Sequence, residues 1–376
     1  MPETDDSLKI FNPLRLEIAR KRRGLSHTAL ARLLGVQLRT ITGWKSGVVP
    51  GRAAMLALTE VLGFPEDFFF GPDLEMPSED GVSFRALTRM TGQQKDMARA
   101  QGALALALAQ WIEKKFELPS CQIPDLRNLG TTPESAADTL RRTWGLGELA
   151  IRNMVHLLES KGVRVFSLSI EAKEVDAFST WSTGGSPVVF LNNFKTAERS
   201  RFDAAHELGH LVMHRHGRAN RSKEQESQAD AFASAFLMPS RSVVARVPRF
   251  TTMEVLISAK KIWGVALSAI VYRLRVLNLI SEWHYKALCI EIGKLGYRTH
   301  EPDGIPRETS LIFPAILKDL YESDGIGKAG IAKDLAFPAS ELESLWFGLT
   351  LGSTDGGRPR ATAPSEPTQS LLFRIK

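Results

Sequence analysis

The chain has two cysteines in 376 residues, Cys121 and Cys289. That is too few for a disulfide framework or an all-cysteine zinc site, and it is in keeping with a reducing cytoplasm. Long apolar runs are missing as well. The most apolar stretch, residues 102–112, falls short of the roughly 18 residues a membrane span requires, so it reads as a buried helix and no membrane partner is expected. The opening MPETDD is acidic and lacks the profile of a signal peptide. Acidic residues are scarce in one region above all. From Lys9 to Arg52 there are ten Lys or Arg and a single acid, Glu17, a local charge of +9 in a chain whose total is +6. Such an imbalance points to a polyanion, most simply double-stranded DNA. The remaining composition, 43% hydrophobic and 24% charged, describes a globular chain of two or three domains.

The residues with chemistry gather between Arg199 and Pro239. His206 and His210 are four apart, which puts them one above the other on a single helix face, with Glu207 beside them. A zinc hydrolase needs this set: two neutral nitrogen ligands and a carboxylate to take a proton from the attacking water. Zn2+ also needs a third protein ligand. Glu226, on the next predicted helix, is the candidate, and Asp230 is spaced to hold the outer nitrogen of a ligand histidine. His214 and His216 are placed by proximity as donors to an oxyanion, or by the helix dipole as exposed end residues. Phe232, Phe236, Leu237 and Met238 have the helical spacing of core side chains.

In chain order, residues 1–12 form a leader. Pro13 opens a helix that stops at Gly24, Ser26 caps a second that closes at Gly35, and a third runs from Gln37 to about Lys45. The third has Ile41 and Trp44 inside, and Gln37, Leu38, Arg39, Thr42, Gly43 and Ser46 on or near its outer face. Helical pieces at 51–62 and 65–69 complete a five-helix unit over 13–70. The proline-rich, acidic GPDLEMPSEDGVS marks a linker, 71–83. One long helix is expected at about 91–116, with others at 132–144 and 148–160. Runs at 163–168, 175–181 and 187–191 predict a small antiparallel sheet, whose strand ending at Leu191 would border the cleft and pair with an extended peptide. The metal helix spans 197–213. Helices at 243–247, 252–263, 267–277 and 281–293 close a domain over 84–298. The module at 299–352 has helix-turn-helix spacing with Ile331, Leu335, Leu342 and Trp346 inside. Its acids outnumber its bases, so a structural or dimerising role is expected. The tail, 353–376, reads as disordered.

Residues 13–70, centred on RKRRGLSHTALARLLGVQLRTITGWKSGVVP, resemble the Xre/Cro type of helix-turn-helix domain of phage and bacterial repressors. The resemblance rests on the pattern Leu30, Ala31, Gly35, Val36, Ile41, Trp44 and Gly47. It implies a lambda-repressor-like fold in which Leu38, Arg39 and Gly43 face base edges. Thr42 and Lys45 would face the flanks, and Ser26, His27 and Ser46 the phosphates. Family members commonly have Gln at the position of His27, so His27 is expected either as a phosphate contact sensitive to pH or as a solvated surface histidine.

From about residue 82 to 300, HELGHLVMH followed by QADAFASAFLMP resembles the ImmA/IrrE family of metallopeptidases, a gluzincin-like layout. The resemblance implies a zincin-like α+β domain, Zn2+ held by His206, His210 and Glu226, and Glu207 as the catalytic residue. Many members have Glu where this chain has Gln228; the four-residue spacing to Asp230 favours Glu226 as the ligand. The expected fold is therefore mainly α, α+β overall. The expected function is a cytoplasmic, homodimeric transcriptional regulator on a DNA operator, with a zinc metalloendopeptidase that cuts a repressor or antitoxin protein. The alternative is a non-proteolytic transcription factor whose peptidase-like domain is a sensor or scaffold.

Overall fold

The computed structural model describes residues 10–77, 91–127, 131–168, 177–214, 223–248, 251–350 and 373–374. The later half of the expected linker, His216 and most of the tail lie outside the described residues.

Helix α1 (Pro13–Arg22) starts at Asn12, whose side chain accepts from the amides of Leu14 and Arg15, a cap worth about 1 kcal/mol. Phe11 is 3% exposed, so the leader ends earlier than expected and its last residues belong to the fold. Helix α2 (His27–Leu33) is capped by the Ser26 hydroxyl, which accepts from Ala29 N at 3.0 Å. Gly35, at φ 64°, makes the left-handed turn into α3 (Leu38–Lys45). Ile41 and Trp44 are buried, as are Leu16, Leu30 and Leu58 of the same core. Helix α4 (Arg52–Leu62) and a 3₁₀ turn (Glu66–Phe70) complete the unit.

Residues 71–77 are less free than a linker. Asn12 Nδ2 donates to Gly71 O at 3.0 Å and Arg15 Nε to Pro72 O at 2.7 Å. On the other side Thr183 N donates to Glu75 Oε1 at 2.6 Å. The long helix α5 (Gly92–Glu113) opens with a capping box between Thr91 and Gln94. Its Gln93 donates to Gly24 O at 2.5 Å, and Asp96 lies 3.0 Å from Lys21 Nζ. Farther along, the buried Gln101 donates to Ser167 O at 3.2 Å. One helix therefore touches both the N-terminal unit and the sheet.

Helix α6 (Pro133–Thr143) is capped by Thr132. Helix α7 (Met154–Ser160) starts later than the expected 148, because Gly147 turns at φ 51° and Asn153 supplies the cap. The expected strands form as β2 (Arg164–Ser167), β3 (Phe178–Trp181) and β4 (Pro187–Leu191), after a short β1 (Phe116–Glu117). The sheet is mixed rather than antiparallel: β4 lies in the middle, parallel to β2 and antiparallel to β3. Every residue of β3 and β4 is buried, a pattern that tolerates parallel pairing because helices cover the faces. Strand β4 is thus central, and β3 is the strand beside the cleft.

Helices α8 (Ala197–Met213) and α9 (Lys223–Leu237) follow, then α10 (Ser240–Arg246), α11 (Met253–Trp263), α12 (Leu267–Val276) and α13 (Glu282–Lys294). Helix α12 is a packing element. Its Ile270, Val271 and Leu274 are buried, and Arg273 forks onto Glu134 at 2.6 and 2.7 Å.

A strap at 299–311 then crosses the body, pinned at successive residues. Glu301 accepts from Leu267 N at 2.6 Å, Ile305 N donates to Glu198 at 2.9 Å, Glu308 pairs with Arg201, and Leu311 N donates to Glu159 at 2.9 Å. It leads to α14 (Ile312–Asp324), α15 (Lys328–Asp334) and α16 (Ala339–Trp346). Helix α16 turns one face inward, with Glu341, Leu342, Leu345 and Trp346 buried. Its Glu341 reaches back to α1, 2.6 Å from Arg22 Nε and paired also with Arg23. At the chain's end, residues expected to be disordered include β5 (Phe373–Arg374), paired antiparallel with β1; an edge strand's open backbone groups provide the partner.

Candidate metal centre and DNA-facing surface

Helix α8 begins at Thr196, whose hydroxyl accepts from Arg199 N, and carries His206 and His210 one turn apart. Helix α9 packs against it closely. A Cβ on Gly209 would lie 2.9 Å from Phe232 Cδ1, so the glycine between the histidines lets the helices approach. The approach brings Glu226, in the first turn of α9, opposite both rings. His206 Nε2 is 3.5 Å from Glu226 Oε2, and His210 Nε2 is 3.3 Å from Oε1. The two Nε2 atoms are 3.1 Å apart, and the three ligand atoms all lie within 4.8 Å of one another. Asp230, one turn along α9, places Oδ1 2.9 Å from His206 Nδ1.

The electrostatics of this cluster suit a cation. Burial opposes charge on His206, but Asp230, Glu226 and Glu207 outweigh it and push the imidazole up to about 10. Burial would raise Glu226, yet hydrogen bonds from His206 and His210 hold it well below the usual carboxylate range. Carboxylates crowded on imidazoles in a buried setting call for positive charge, and a divalent ion supplies it while leaving both rings neutral. Two imidazole nitrogens and a carboxylate oxygen form a donor set that zinc accepts.

Glu207 is 1% exposed and faces a cavity of about 510 Å³ lined also by Ala177, Lys195, Phe202, His206 and Tyr272. Ser179, on β3, donates to Glu207 Oε2 at 2.7 Å. Nothing local in the sequence announces Ser179, which lies on a separate strand 28 residues away. His214 differs from both roles expected of it. It is half-buried at the end of α8, with Nδ1 3.0 Å from His210 Nδ1 and Nε2 2.8 Å from Gln228 Oε1. The repeated four-residue interval His206, His210, His214 was the available signal. Leu191 lies on the central strand, paired on both sides by β2 and β3, so it does not offer the open edge expected of it.

On the N-terminal unit, α3 exposes Gln37, Leu38, Arg39, Thr42 and Lys45, and Ser26 is exposed at the start of α2. Gly43 is half-buried with Val48 Cγ2 3.8 Å from where its Cβ would be, and Ser46 Oγ donates to Thr42 O at 3.1 Å. His27 is not a lone surface histidine. Its Nε2 lies 2.8 Å from Glu17 Oε1. Burial would raise Glu17, but its bonds to Arg20 and His27 hold it below the ordinary range.

A helix-turn-helix unit joined to a helix bearing H-E-x-x-H, with an acidic donor on the next helix and a small sheet beside the cleft, defines a DNA-binding regulator fused to a peptidase-like domain. Family comparisons place the two parts: residues 16–69 match the helix-turn-helix family, and residues 158–275 match the IrrE N-terminal-like domain. One chain carries both. No curated protein matches it.

Proposed function

We propose that the chain is a cytoplasmic transcriptional regulator, working as a homodimer on an operator, whose cleft hydrolyses a peptide bond in a repressor or antitoxin. The observation that carries the reading is the convergence of His206, His210 and Glu226, with His206 and a buried carboxylate, Glu207, lining an open cavity. In this reading His206, His210 and Glu226 hold Zn2+, and Asp230 fixes the tautomer of His206 from behind. Bound zinc would supply Lewis acidity toward the scissile carbonyl. Glu207 takes the proton of the attacking water and passes it to the leaving amine, a role usually worth about 10²–10⁴ in rate. Ser179 keeps the carboxylate turned toward the cleft. Strand β3, which holds Ser179, is the natural partner for an extended substrate segment. At the other end, Arg39 reads a base through its planar fork. Gln37, Leu38, Thr42, Gly43 and Lys45 border it, and Ser26, His27 and Ser46 approach the phosphates.

The test is metal analysis of the purified full chain, then co-expression of wild type and Glu207→Gln with repressors or antitoxins encoded beside its gene. Zinc near one per chain in both proteins, with a cut made by wild type alone, supports the peptidase. Zinc retained with no partner cut by either protein moves the assignment to a sensor or scaffold.

A further inference from the structure

The two ligand histidines present Nε2 to each other and to Glu226. An imidazole that gives its Nε2 lone pair to an ion carries its hydrogen on Nδ1, and that hydrogen needs an acceptor. For His206 the acceptor is a carboxylate, Asp230. For His210 it is a third imidazole, His214, at 3.0 Å between Nδ1 atoms. A ring that accepts at Nδ1 holds its own hydrogen on Nε2, and His214 Nε2 lies 2.8 Å from Gln228 Oε1. The Gln228 amide is oriented in turn, because its Nε2 donates to Glu224 Oε1 at 3.4 Å. Donors and acceptors therefore alternate without conflict from His210 through His214 to Gln228.

Resting on the zinc assignment above, we propose that His214 and Gln228 are positioning residues for the metal centre. They form a neutral imidazole and amide relay that locks His210 with Nε2 toward the ion. The relay ends on α9, the helix that also supplies Glu226 and Asp230. Both ligand histidines of α8 are thus tied from behind to one neighbouring helix, at positions 228 and 230. The His210 side chain is 0% exposed, which leaves the relay to do for this ring what water would do for an exposed one. Gln228 acquires a reason of its own: it is the acceptor that closes the chain, distinct from the ligand two residues earlier.

The experiment compares full-length wild type, His214→Leu, His214→Asn and Gln228→Leu. Zinc affinity is measured by competition with a chromophoric chelator, the ligand field by cobalt(II) absorption, and the fold by thermal unfolding of the metal-free proteins. Losing an outer hydrogen-bond partner of a ligand histidine costs about 10–100-fold in metal affinity. We expect a loss of that size in His214→Leu and about tenfold in Gln228→Leu, with shifted cobalt bands and metal-free unfolding close to wild type. His214→Asn, whose side-chain oxygen can accept from His210, should recover most of the affinity. Zinc binding within twofold of wild type in both leucine variants, with unshifted cobalt bands, overturns the relay while leaving the metal site standing. Absence of stoichiometric zinc in wild type overturns both. If His214→Leu does not fold, Gln228→Leu decides between the same two results.

Discussion

Raising the salt concentration in a titration with duplex DNA reports how many phosphates the N-terminal unit neutralises. Each Lys or Arg set against a phosphate contributes about −0.9 to the slope of log K against log salt. Taken at face value, the ten basic residues from Lys9 to Arg52 would give a slope of about −9 per bound domain. Half of them face inward or toward protein acids. Arg15 donates to Pro72 O and lies over Phe68, and Arg20 is held by Glu17 and Leu25 O. Lys21 pairs with Asp96, and Arg22 and Arg23 share Glu341. Among the described residues Arg32, Arg39, Lys45 and Arg52 remain exposed, for a slope of about −4. Between about 50 and 200 mM salt, affinity should then fall by about 150-fold, against more than 10⁵-fold for the full count. Fluorescence anisotropy on a labelled duplex, with stoichiometry fixed by titration at high concentration, measures the slope. A value of about −7 or steeper per domain would refute the reasoning, because it would require Arg20 to Arg23 to leave their partners for the phosphates.

Other outcomes follow from single contacts. Gly209→Ala gains about 1 kcal/mol of helix propensity but drives a Cβ into Phe232 at 2.9 Å, a clash costing about 1–3 kcal/mol. Lower urea stability and weaker zinc binding are expected, and a shift to higher urea would show that the ring yields freely. Glu159 is buried under the start of α14, and burial, against its bonds from Ser310, Leu311 and Ile312, pushes it up from 4.5 to about 7. The folded state therefore holds an extra proton between those values, and stability should fall as pH rises through that window, by about 3 kcal/mol. Glu159→Gln should flatten this dependence; unfolding curves of the two proteins from pH 5 to pH 8 that stay parallel would contradict it. Arg39→Ala should relax preference at one or two base pairs, costing about 1–3 kcal/mol each in a selection of bound duplexes. A uniform loss over all sequences would make Arg39 a phosphate contact.

The helices and the histidine pair were legible because their evidence is local. A four-residue interval fixes a shared face for His206 and His210, and again for Glu226 and Asp230, before any tertiary contact is known. Partners from distant parts of the chain were not. Alternating residues identified β2, β3 and β4, but nothing in them says that β4 lies between the others. Ser179 reaches Glu207 only once β3 lies along α8. The basic segment misled for the same reason, since Glu341, which takes Arg23 out of the DNA-facing count, is 318 residues away.

The grip of Glu341 and α5 on α1 also bears on how DNA would be measured. A reading head on a slack tether lets two copies settle on half-sites at many separations. Here the head is bolted to the rest of the molecule at residues 22, 23, 24 and 21, by contacts from two different helices. In any pair of chains, the span between the two α3 helices is then set by where the bodies meet. Half-site spacing would then be a property of the body to which the head is fixed, and not of a tether.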